Sequence, residues 1–164
     1  MKKISGKIFY VGVNDTDKVQ FEGLWPLPYG VSYNSYLVVD EKVALIDTVE
    51  CGFEEDFLSN IEDAIGDRNI DYLVVNHMEP DHSSLVGYML DRYPDLQIVA
   101  NSKTVPMLQG YYGTPKEKIL VMADGESLSL GGATLSFHMI PMVHWPETMV
   151  TWLQEEQTVF SGDA

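Results

Sequence analysis

The chain has 164 residues, is 45% hydrophobic and carries a formal net charge of −15 at pH 7. That length suits one domain with a sizeable core, and so acidic a surface repels phosphate backbones and anionic membranes, which speaks against nucleic-acid or membrane partners. Cys51 is the single cysteine, so no internal disulfide can form, and with no charged-then-apolar leader at the N-terminus the expected compartment is the cytoplasm.

In chain order, residues 7–12 are apolar and aromatic and read as a strand. Residues 32–39 pair plausibly with residues 42–47 across Asp40-Glu41, a two-residue hairpin connection, so the first third is expected to be antiparallel β. Cys51 follows this run without a nearby histidine and reads as a small buried hydrophobe rather than a nucleophile. Phe53, Phe57, Leu58, Ile61, Ala64 and Ile65 recur at helical spacing with acidic residues on the other face, which predicts a surface helix. Residues 72–76 then form a short buried strand, 85–93 a second helix and 97–100 another strand, two strand-helix units that favour a parallel arrangement. Residues 112–118 read as a loop with Gly and Pro. Residues 127–130 and 133–141 flank Gly131-Gly132, and 149–153 face 158–160 across Glu155-Glu156, so the C-terminal third is again β-rich. The expected fold class is α/β with mixed α+β character.

The chemistry concentrates in His77-Met78-Glu79-Pro80-Asp81-His82, directly after the apolar run Tyr72-Leu73-Val74-Val75-Asn76. His77 and Glu79 are two apart, so at a strand end they point to one side, and Pro80 turns the chain before Asp81 and His82. Asp81, Ser83 or Ser84 could equally cap the following helix, and His77 could be a hydrogen-bonded residue at a strand end. Four ligand-type residues in six weigh toward a metal site instead. Nitrogen and carboxylate donors without a thiolate suit non-haem iron, manganese or zinc, and argue against copper(I) or an iron–sulfur cluster. His144 and Asp163 also end β runs, and three strand ends of a layered structure can converge on one site. His138 lies inside a strand, alternates away from Phe137 and Met139, and reads as a non-ligand. Trp25, Trp145 and Trp152 could shape a pocket, although core packing is the commoner role of such residues.

The sequence resembles the N-terminal metallo-β-lactamase-like domain of flavodiiron proteins along essentially its whole length. The resemblance rests on the H-x-E-x-D-H run of residues 77–82 and on Leu24-Trp25-Pro26-Leu27-Pro28, Gly30-Val31-Ser32-Tyr33-Asn34-Ser35-Tyr36 and Ala44-Leu45-Ile46-Asp47-Thr48-Val49. His144-Trp145-Pro146-Glu147 and Phe160-Ser161-Gly162-Asp163-Ala164 complete it. Hydrolases of that fold carry His where this chain has Glu79. The resemblance implies an αβ/βα sandwich, here the first half to two-thirds of that domain over residues 1–164, with two non-haem irons. His77, Glu79 and His144 would hold one iron, Asp81 and His82 the second, and Asp163 would bridge them.

It further implies reduction of dioxygen to water or of nitric oxide to nitrous oxide, with electrons from FMN and from a donor such as rubredoxin or a flavin reductase, in a parent that is a homodimer. The family's last histidine and its flavodoxin-like FMN domain would follow Ala164, so the chain by itself is expected to be weakly active or inactive. Its first sheet is expected to lack much of its cover, which would drive self-association. A zinc hydrolase of the same fold, or a non-catalytic metal-binding fragment, is the alternative.

Overall fold

Val43, Ala44, Leu45 and Ile46 are consecutive and fully buried, yet they belong to two different cores. Side chains alternate along a strand, so Val43 and Leu45 join one apolar cluster while Ala44 and Ile46 join another on the opposite face. A strand buried on both faces belongs in the middle of a layered fold. Fully burying one such side chain contributes about 1.5–3 kcal/mol.

The computed structural model describes residues 1–21 and 23–164. Its first sheet has the order β1 (Lys2–Lys3), β2 (Ile8–Tyr10), β7 (Tyr36–Val39), β8 (Val43–Ile46), β9 (Tyr72–Val74), β10 (Gln97–Asn101) and β11 (Ile119–Met122). From β1 to β8 the pairing is antiparallel, and from β8 to β11 it is parallel. Short ribbons pair β3 (Val13–Asp15) with β6 (Val31–Tyr33) and β4 (Gln20–Phe21) with β5 (Trp25–Pro26). A second, antiparallel sheet runs β12 (Ser127–Ser129), β13 (Thr134–Met139), β14 (Met149–Leu153) and β15 (Thr158–Phe160). Gly131, at φ 113°, supplies the turn between β12 and β13.

Helices α1 (Glu54–Ile65), α3 (Val86–Arg92) and α4 (Thr104–Tyr112) contribute to the core on one side of the first sheet, and a single turn, α2 (Pro80–Ser83), precedes α3. In α1 the residues Phe57, Ile61 and Ile65 recur every fourth position and are buried. Glu54, Glu55 and Asp56 occupy its first turn, where negative charge complements the helix dipole. On the other side of the first sheet, Val38, Ala44, Ile46, Val74 and Val99 meet Leu135, Phe137, Met149, Leu153 and Phe160 of the second. The fold is thus an α/β sandwich of the metallo-β-lactamase kind. Among the described residues no helix is long and apolar enough to cross a membrane.

Three expectations are corrected. The apolar face of the first sheet is not left bare, because β13, β14 and β15 alternate large residues inward and bury it. The strand expected over residues 32–39 is two: Val31–Tyr33 pairs with β3, and the chain breaks at Asn34-Ser35, where Ser35 Oγ donates to the Asp47 carbonyl at 2.8 Å. Cys51 sits exposed in the turn before α1 instead of buried. Helix α4 and strand β11 were not anticipated. In α4 the start is set by the Asn101 side-chain oxygen, which accepts from the amides of Lys103 (2.9 Å) and Thr104 (3.2 Å), and the end by Gly113 in the left-handed region.

Candidate metal centre

Strands β8, β9 and β10 run parallel side by side, and the residues after their carboxyl ends share one rim of the sheet, the usual place for a site in such a topology. Asp47 follows β8, residues 76–82 follow β9, and Asn101 closes β10. Asn76 ties this rim to the second sheet. Its carbonyl accepts the Met149 amide (3.0 Å), its side-chain oxygen accepts Thr151 Oγ1 (2.7 Å), and its side-chain nitrogen donates to the Phe160 carbonyl (3.3 Å). Asp47, at φ 56°, holds a conformation that costs a non-glycine residue energy, and its carboxylate accepts the Asn76 amide at 2.7 Å.

With the two sheets pinned in this way, the donor residues converge. One ligand atom each from His77, Glu79, His144 and Asp163 lie within 4.8 Å of one another, and Asp81, His82 and Asp163 form a second such group. Glu79 Oε2 stands 3.2 Å from His77 Nε2 and 3.1 Å from His144 Nε2. Asp163 Oδ1 accepts from His82 Nε2 at 2.9 Å, while its Oδ2 lies 3.7 Å from His144 Nε2. Asp163 is therefore common to both groups. Asp81 Oδ2 is 3.9 Å from His82 Nε2, and Asp81 Oδ1 is buried without a hydrogen-bond partner. Neither Asp81 nor a serine caps the following turn: Ser83 Oγ donates instead to the Met78 and Glu79 carbonyls.

The electrostatics follow from this packing. Burial disfavours charge on His77, but hydrogen bonds to Glu147 and Glu79 outweigh it and raise the pKa. Burial likewise opposes charge on His82, yet the Asp163 bond and the carboxylates of Asp47 and Asp81 push its pKa up to about 11. Burial raises the Asp81 pKa, and the bond from His82 lowers that of Asp163. The carboxylates thus demand positive charge, which protons on imidazole can supply and which a metal cation supplies in exchange for those protons. Nitrogen and oxygen donors in two overlapping groups, with a buried unpartnered carboxylate oxygen among them, fit two hard-to-borderline cations such as iron.

His138 is exposed and stands apart, within 3.4 Å of Ser136 Oγ. Trp145 packs edge-on against His77, with ring centroids 5.2 Å apart, whereas Trp25 is exposed and Trp152 is half-buried on β14. Sequence reasoning had not singled out Glu147, Asp47 or Asn76, although all three are buried around the cluster. Glu147 Oε1 receives both His77 Nδ1 and the Met78 amide at 3.0 Å. Its adjacency to His144-Trp145-Pro146 was visible; its approach to a residue 70 positions earlier was not.

A family model described as ODP family beta lactamase matches residues 31–164. The chain is 36% identical over 162 residues to an uncharacterised protein of Methanocaldococcus jannaschii, and 34% identical over 163 residues to the anaerobic nitric oxide reductase flavorubredoxin of Vibrio vulnificus. These alignments cover 99% and 98% of the chain but only 41% and 33% of those proteins. Among solved structures, the flavodiiron protein from Giardia intestinalis superposes with a TM-score of 0.91 at 32% identity, over 98% of this chain and 39% of that one. Rubredoxin oxygen:oxidoreductase from Desulfovibrio gigas also gives 0.91, at 33% identity over 96% and 39%.

Proposed function

The chain belongs to the ODP family of β-lactamase-fold domains, in the form carried by flavodiiron proteins, and on that premise we propose that residues 1–164 serve as the di-iron domain of an oxygen or nitric oxide reductase. His77, Glu79 and His144 would hold one iron, Asp81 and His82 the other, and Asp163 would be shared between them. The observation that carries this reading is that Asp163 is common to both donor groups: a carboxylate between two cations offsets their repulsion. The chemistry a bound iron pair would supply is electron transfer to a diatomic gas, with the developing charge shared between the two ions.

The protein's own side chains do the rest. Glu79 reaches His77 and His144 together, so one carboxylate oxygen orients both imidazoles. The His144 side chain is half exposed, at 50%, while His77 is wholly buried. Trp145 packs edge-on against the buried His77 ring and helps to cover it. In the whole protein FMN delivers the electrons, received from a rubredoxin or a flavin reductase, and a homodimer in the cytoplasm is the working form. The names of the similar flavorubredoxin and oxidoreductase support the substrate and the donor.

The test is elemental analysis of the chain after anaerobic purification from iron-rich culture, followed by gas-electrode assays with an added reduced flavoprotein. Iron in place of zinc is expected, with consumption of dioxygen or nitric oxide that requires the flavoprotein. Stoichiometric zinc under those conditions overturns the reading.

A further inference from the structure

Glu147 stands behind His77, against the ring nitrogen opposite the one that faces Glu79. It is only 1% exposed, and its Oε2 is buried with no hydrogen-bond partner. If its purpose were only to hold the Met78 amide at 3.0 Å, a neutral amide side chain of the same length would serve without burying a charge, which is unfavourable. The charge has a different use. An imidazole whose Nδ1–H donates to a carboxylate is fixed in ring orientation and tautomer, and its Nε2 becomes a more basic ligand. Thr148 Oγ1 also approaches His77 Nδ1, but at 3.4 Å, and it already donates to the Trp145 carbonyl at 3.0 Å. Glu147 is itself held, since the Asn101 side chain donates to its carbonyl.

We propose that Glu147 is a positioning residue for His77: its carboxylate accepts the Nδ1–H and keeps Nε2 turned toward the bound cation. The role toward a cation rests on the di-iron reading above, whereas the hydrogen bond does not. Ferrous iron titrated anaerobically against a chelator separates the two. Glu147→Gln, which keeps an acceptor for Met78, weakens iron binding by about tenfold to a hundredfold. In a His77→Ala background the same change costs less than about threefold, because a residue that acts only through His77 has nothing left to act on. Equal losses in both backgrounds, or no loss in either, overturn the proposal.

A second measurement needs no variant that must fold. In the metal-free chain with isotope-labelled histidine, the His77 Nδ1 proton gives a low-field, slowly exchanging resonance, and its absence from the wild-type spectrum refutes the bond. If that resonance is present but the wild-type chain takes up no ferrous iron, the di-iron reading fails, and with it the role toward a cation, while the pairing of Glu147 with His77 stands.

Discussion

His77 and His82 begin and end one short loop, their rings 5.4 Å apart, and each has a buried carboxylate behind it. Behind His77 the carboxylate is in contact: Glu147 Oε1 is 3.0 Å from Nδ1. Behind His82 the Asp47 carboxylate stays 3.7 Å away, and His82 Nδ1 is buried without a hydrogen bond. The first half of the centre is therefore built by the protein, with His77 wedged between Glu147 and Glu79. In the second half Asp81 Oδ1 is also unpartnered, and on the di-iron reading a bound cation would be its partner. One loop can thus carry a histidine with a carboxylate bonded behind it and another without, according to what packs behind each ring.

Breaking the shared member has the largest effect. Asp163→Asn removes the charge that faces both His82 and His144, and should cost about 3 kcal/mol in metal binding, near the lower end for breaking a charge pair, or about a hundredfold. Iron titration should show both ions weakened together; loss of one alone would mean that the halves are independent. Next come the two histidines. His77→Ala strands Glu147 as a buried charge and should destabilise the metal-free chain by about 3 kcal/mol in urea, whereas His82→Ala, which loses its one hydrogen bond to the 37% exposed Asp163 and leaves the buried Asp47 bonded to the Asn76 amide, should cost about 1 kcal/mol. The reverse order would defeat the comparison.

Asp81 sharpens the contrast from the other direction. Its carboxylate is largely buried and its pKa raised by that burial, so Asp81→Asn should stabilise the metal-free chain by about 1 kcal/mol while weakening iron binding, the trade expected where function keeps a strained group. A gain in stability with unchanged iron affinity would remove Asp81 from the centre. The smallest effect is a reference remote from the metal. Lys7 pairs with Asp40 at 2.7 Å and holds the Asp40 carboxyl below its usual range. A depressed carboxylate pKa contributes stability above its unfolded value, about 3.9, and loses it as pH falls through the lower folded value. Lys7→Met should therefore cost about 0.5 kcal/mol at neutral pH, with the difference from wild type fading in acid and iron binding untouched.

The six-residue loop was legible because its donors are neighbours in sequence and follow a run apolar enough to be a buried strand. The hairpin of β7 and β8, helix α1 and the second sheet were legible through their periodicity and turns. Helix α4 was not: Thr104–Tyr112 contains Pro106 and Gly110 and buries only Thr104 and Leu108, so it has no apolar stripe to read. Its start depends on Asn101, a residue outside it. Cys51 misled because composition favours burial, while its position in a turn decided the matter. Glu147 and Asp47 lie in segments that carry the family resemblance, but their roles come only from tertiary contact with His77 and His82, which no local spacing shows.

The bond between Asp163 and His82 joins residues 81 positions apart, and that separation has a consequence in time. Contacts between distant parts of a chain carry the loop-closure cost that slows folding. The loop of residues 77–82 can take shape when β9 pairs with its parallel neighbours, but Asp163 arrives only after β15 has docked on β14 and Asn76 has tied the second sheet to the first. On the di-iron reading, the carboxylate shared by the two donor groups joins the loop only once β15 has paired with β14, so docking of the second sheet sets when the two groups become one cluster.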